Sequence, residues 1–87
     1  MIHPVRECIA KIGLSQNSFA VLNAISVQRL RDCLYGYTES IPKKIVSILV
    51  QQGYDEQEVQ QQYKQWRKWK AEQEFLNSPA AHEGRGA

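Results

Sequence analysis

The chain reads as a small all-α protein of about five helices, the last of them long. Three observations predict this. Pro4, Ser15, Ser26, Pro42 and Asp55 each suit a helix start, since serine or aspartate can accept from free first-turn amides and proline is tolerated at the first position. Apolar residues recur at +3 and +4 steps between these starts. Gly13, Gly36 and Gly53 fall where the runs end, and glycine readily takes the left-handed conformation that closes a helix.

The elements follow in order. Pro4 opens a helix over about 4–12, with Val5, Cys8, Ile9 and Ile12 on one face. Ser15 starts a second over about 16–23, whose run Phe19, Ala20, Val21, Leu22 is largely apolar. Ser26 starts a third over about 27–35, with Leu30, Cys33 and Leu34 inward. The loop around YTESI leads to Pro42 and a fourth helix, with Ile45, Ile48, Leu49 and Val50 as its apolar face. Asp55 with Glu58 forms a capping-box-like start for DEQEVQQQYKQWRKWKAEQEFL, which is expected to be helical to about Leu76. Val59, Tyr63 and Trp66 form its apolar stripe, but Lys70 and Gln73 interrupt it, so an extended coiled coil is not expected. Residues 77–87 are small, polar and aperiodic and read as a disordered tail.

Composition narrows the function. At 87 residues the chain forms one small core and no large catalytic cleft. A formal net charge of +2 says little about nucleic acid until its distribution is known. Cys8 and Cys33 fall on apolar faces with no CxxC pair and no histidine at ligand spacing, so they are expected to be buried free thiols, with no metal or other cofactor. His3 and His82 lie near the two ends, there is no phosphate-cradling glycine loop, and Glu58 is accounted for as a cap partner; no enzyme is expected. The N-terminus lacks a signal-peptide pattern, and no run approaches the roughly 20 apolar residues that span a bilayer. A cytoplasmic protein with no membrane contact is the expectation.

Residues 15–37, SQNSFAVLNAISVQRLRDCLYGY, place two short helices either side of a tight turn. A helix held out in this way fits the DNA major groove. With Leu30, Cys33 and Leu34 inward, the third helix leaves Val27, Gln28, Arg29, Arg31 and Asp32 for solvent or groove. Gln suits the edge of adenine, Arg that of guanine, Asp the amino group of cytosine and Val the methyl of thymine.

In its residues Leu14, Ser15, Gln16, Ala20, Ile25, Ser26, Leu30 and Gly36, this stretch resembles the helix-turn-helix of the phage lambda repressor and Cro-like family. The resemblance covers about residues 5–52 and not the long last helix. It implies a lambda-repressor-like bundle, one DNA-binding domain over residues 1–76, and a phage- or plasmid-type transcriptional regulator of double-stranded DNA. Ala24 stands where the family has glycine, and would be strained at positive φ. Leu34 replaces a frequent Glu, and the loop after it lacks the family's Arg/Lys cluster.

The family's mode implies that Gln16, with Asn17 beside it, holds a DNA phosphate. It also assigns base-reading positions to Val27, Gln28 and Asp32, leaves Arg29 and Arg31 to base edge or phosphate, and places backbone contacts at Tyr37, Thr38, Lys43 and Lys44. Lysines near a helix N-terminus are slightly unfavourable, a cost that a phosphate would offset. A homodimer would set two reading helices about 34 Å apart on one DNA face. In KQWRKWK, aromatic and basic residues interleave, and Tyr63, Trp66 and Trp69 are the candidate dimer or partner contacts; for Trp66, packing on the first and fourth helices competes with that role. A helix-turn-helix kept as a protein-interaction module, or an accessory factor binding DNA beside a larger partner, is the alternative.

Overall fold

A computed structural model describes residues 1–78 of the chain. Five helices, α1 (Pro4–Ile12), α2 (Gln16–Leu22), α3 (Val27–Leu34), α4 (Lys43–Gln51) and α5 (Glu56–Leu76), account for the regular structure, and there is no strand among the described residues. Helix α3 packs against α2, while α1, α4 and α5 pack mutually. No helix among these residues is long and apolar enough to cross a membrane. Most of the expected tail lies outside the described residues; only Asn77, the C-cap of α5, and Ser78 are described.

The starts are chemical. Ser15, Ser26 and Asp55 accept from the amides of Ser18, Arg29 and Glu58. The ends share one device: in α2, α3 and α4 the residue two past the last helical one is left-handed, and the next amide reaches back into the helix. Thus Ile25 N donates to Ala20 O, Tyr37 N to Asp32 O and Tyr54 N to Leu49 O. Gly36 (φ 80°) and Gly53 (φ 94°) take that position in α3 and α4, whereas α2 uses Ala24 at φ 53°. The reverse turn ends α2 at Leu22 and α3 at Leu34, one residue earlier in each case than the apolar spacing predicts.

The core joins all five helices through Val5, Cys8, Phe19, Leu30, Leu34, Ile45, Leu49, Val59 and Tyr63. Val46 is buried and Val50 is 46% exposed, because the inward face of α4 is set by Ile45 and Leu49 and Val50 lies off it. Val21 and Leu22 are exposed for the same reason, Phe19 and Ala20 being the inward pair of α2. Ile41, in the loop before α4, is 2% exposed, and the Gln60 amide clasps its backbone with two bonds of 2.9 Å. Both cysteines are free and buried, and burial pushes the Cys33 thiol up to about 11, so neither presents a reactive thiolate.

His3 is an N-cap invisible to pattern reading. Its Nδ1 accepts from Val5 N at 3.1 Å, and its Nε2 lies 3.0 Å from Cys33 O. An amide only donates and a carbonyl only accepts, so the ring must be neutral with its proton on Nε2. Its edge meets the rings of Trp66 and Tyr63 at centroid separations of 4.4 and 5.3 Å. Burial is the largest influence on its basicity and lowers its pKa from 6.5 to about 4.

Two outcomes are expected. The unfolded state binds the His3 proton first, so this contribution is complete above pH 6.5 and is lost as pH falls toward about 4. Urea titrations should therefore show the native chain losing stability across that window faster than His3→Asn, by up to about 1.4 kcal/mol per pH unit. At Gly36 an added Cβ would meet the Trp66 ring at 2.8 Å, whereas at Gly53 it would meet nothing within 4 Å. Gly36→Ala should cost about 2–4 kcal/mol and Gly53→Ala about 1–2 kcal/mol in the same assay.

Candidate functional site

The outer face of α3 is the candidate site. Gln28, Arg29 and Arg31 are exposed, and neither arginine makes an ion pair among the described residues. Asp32 is half-buried and accepts from Gln28 Nε2 at 2.9 Å, one helical turn away. That bond orients the Gln28 amide while leaving its carbonyl oxygen and one N–H, the pair that the edge of adenine takes. Val27 is half-buried and packs on the core, so only part of it is open to a ligand.

At the N-terminal end of α3, Arg29 shares a hollow of about 400 Å³ with Ala24–Ser26 and Pro42–Lys44. The structure thus brings together Arg29, Lys43 and Lys44, from two helices, with no carboxylate in the lining. Lys44 Nζ donates to Ala24 O at 2.7 Å and so supports the strained residue of the turn. Gln16 and Asn17 are exposed at the start of α2.

The C-terminal end of α3 is bound differently. Four successive carbonyls there receive donors from α5, from α1 and from the N-cap of α1: His3 Nε2 to Cys33 O, Arg6 to Leu34 O at 3.2 Å, Lys70 to Tyr35 O, and Arg67 Nε to Gly36 O at 2.8 Å. A helix C-terminus offers unpaired carbonyls and a partial negative charge, and cationic side chains satisfy both. Two of the four cations in KQWRKWK are therefore committed to holding α3.

Several expected site residues lie elsewhere. Tyr63 is fully buried and Trp66 is 8% exposed, so neither is a partner or dimer contact: the +4/+3 stripe carrying them is the core face of α5. Trp69, off that stripe, is 38% exposed. Thr38 is half-buried; the Tyr63 hydroxyl donates to Thr38 O at 2.8 Å, which leaves Thr38 Oγ1 to donate to the tyrosine oxygen at 2.8 Å. Its hydroxyl is engaged inside the protein. Tyr37, by contrast, is 71% exposed. Sequence reasoning misses Tyr35, although it stands seven residues after Gln28 and four after Arg31 and so extends the same face.

The chain matches no family model, no curated protein and no solved structure.

The turn offers a test of this geometry. Left-handed Ala24 carries roughly 1–2 kcal/mol of strain, while glycine would cost about 0.4–1 kcal/mol through the unfolded chain. Ala24→Gly should raise stability by up to about 1 kcal/mol, and Ala24→Val should lower it by more than about 1 kcal/mol, read by denaturant midpoint at constant slope.

Proposed function

We propose that this protein binds double-stranded DNA sequence-specifically through a lambda-repressor-like helix-turn-helix made of α2 and α3, acting as a small transcriptional regulator. The observation that carries this reading is the face of α3: Gln28, oriented by Asp32, stands beside exposed Arg29 and Arg31 on a single helix, an element that the width of a major groove admits. The cluster of Arg29, Lys43 and Lys44 at one end supplies sequence-independent phosphate attraction. Gln16, Asn17 and Tyr37 are its further backbone contacts, all three being exposed.

A homodimer is part of the proposal. Beyond Lys70, residues 71–77 of the chain are exposed, and the far half of α5 carries Trp69, Phe75 and Leu76 at 38%, 64% and 43% exposure. Apolar surface so placed is what pairing with a second copy would bury. The same residues favour a second reading, in which α5 docks on another protein and the helix-turn-helix serves as an interaction module or as an accessory to a larger DNA-binding partner.

Selection from a random duplex pool at fixed salt separates these readings. The native chain should recover a palindromic site and the Gln28→Ala, Arg29→Ala double variant should not. A single unpaired half-site would remove the dimer but keep DNA reading. Recovery of no motif by either protein would overturn DNA reading and leave the interaction module.

A further inference from the structure

A second basic surface lies beyond the far end of α3. A groove of about 390 Å³ separates the residues that end α3 from the middle of α5. One wall is Tyr35, Gly36 and Tyr37, and the other presents Lys64, Arg67 and Lys68. The two tyrosine rings stand 5.9 Å apart and are 48% and 71% exposed. Lys70 fixes them from within: its ammonium lies 5.8 Å from the Tyr35 centroid and 5.4 Å from that of Tyr37, while also bonding Tyr35 O and pairing with Glu74.

The cations of this groove divide by task. Arg67 and Lys70 are engaged by backbone carbonyls. Lys64 and Lys68 are exposed, one helical turn apart on α5, and make no ion pair among the described residues. Glu74, the one carboxylate in the lining, is already paired with Lys70. The groove therefore offers two free ammonium groups and two preset aromatic rings carrying hydroxyl donors.

Its position connects it with α3. Gln28, Arg31 and Tyr35 follow one another at +3 and +4 along a single face, so the reading edge runs without a break into the tyrosine wall. We propose that this groove is a second contact for the phosphate backbone of duplex DNA, with Lys64 and Lys68 neutralising phosphates that flank the site read by α3 and with the Tyr37 hydroxyl donating to the same strand. This rests on the DNA-binding reading above and extends it: α5, outside the resemblance to the repressor family, widens the footprint and adds affinity with no sequence information.

The test is fluorescence anisotropy on a labelled mixed-sequence duplex of roughly three helical turns, titrated over salt. Native protein, Lys64→Gln with Lys68→Gln, and Gln28→Ala with Arg29→Ala are compared. Circular dichroism should show the lysine variant folded as the native chain is, since neither lysine side chain makes a hydrogen bond or ion pair among the described residues. Every phosphate that is no longer neutralised should flatten the log–log salt dependence by about 0.9, so the lysine variant should drop about 1.8 in slope and bind roughly tenfold more weakly at low salt. It should still recover the native motif in the duplex selection. If the native chain binds duplex and the lysine variant matches it in slope and affinity, the groove proposal fails while DNA binding stands. If the native chain binds no duplex at all, the DNA-binding reading fails and the groove proposal goes with it. A lysine-dependent preference for single-stranded over duplex oligonucleotide of equal length would overturn the duplex assignment.

Discussion

The structure depends on how the C-terminus of α3 is satisfied. A helix of eight residues leaves as large a share of its carbonyls unpaired as paired, and an exposed candidate reading helix has no second layer of protein to complete them. Here His3 and Arg6 come from the start of the chain, and Arg67 and Lys70 from the middle of α5, to meet four successive carbonyls, Cys33 through Gly36. Gly36 is the residue that makes this possible. It turns the backbone at positive φ and, lacking a side chain, lets the Trp66 ring close over it. The three aromatic rings of His3, Tyr63 and Trp66 then seal the junction of α1, α3 and α5.

That arrangement gives α5 two halves with different work. Up to Lys70 its inner face holds the bundle: Val59, Tyr63 and Trp66 fill the core, Gln60 clasps Ile41, and Arg67 and Lys70 cap α3. The loop between α3 and α4 has almost no regular structure of its own, yet it is pinned at Gly36, Thr38, Glu39 and Ile41 by side chains of this one helix. Past Lys70 every residue of the helix is exposed, Phe75 and Leu76 among them, so none joins the core formed by the described residues. The proposed second phosphate contact and the proposed partner-facing surface are thus two regions of one helix.

The turn between α2 and α3 shows a different compromise. Its backbone needs a left-handed residue, which alanine supplies at a cost that glycine avoids. The carbonyl of that alanine accepts from Lys44, and Ile25 behind it is buried, so the strained conformation is held by tertiary contacts. A fixed angle between the two helices follows, which is what orients the face of α3.

The sequence by itself determined the elements: all-α class, five helices in order, their serine and aspartate starts, and the glycines at which α3 and α4 close. These signals are local, because a cap bonds an amide three residues away and an amphipathic stripe repeats every turn. The exposed row Gln28, Arg29, Arg31 was legible for the same reason. What only the tertiary structure decided is which polar groups are already spent. His3 reads as an end residue and is a buried cap; Thr38 and Tyr63 read as contacts for DNA and for a partner, Arg67 and Lys70 as plain members of a basic and aromatic run, and all four are engaged within the chain. The bonds of Thr38 with Tyr63, Arg67 with Gly36 and Lys70 with Tyr35 join residues 25 to 35 positions apart, a separation at which spacing carries no signal. That Lys64 and Lys68, unlike Arg67 and Lys70, have no partner among the described residues therefore emerges only once their neighbours have been assigned.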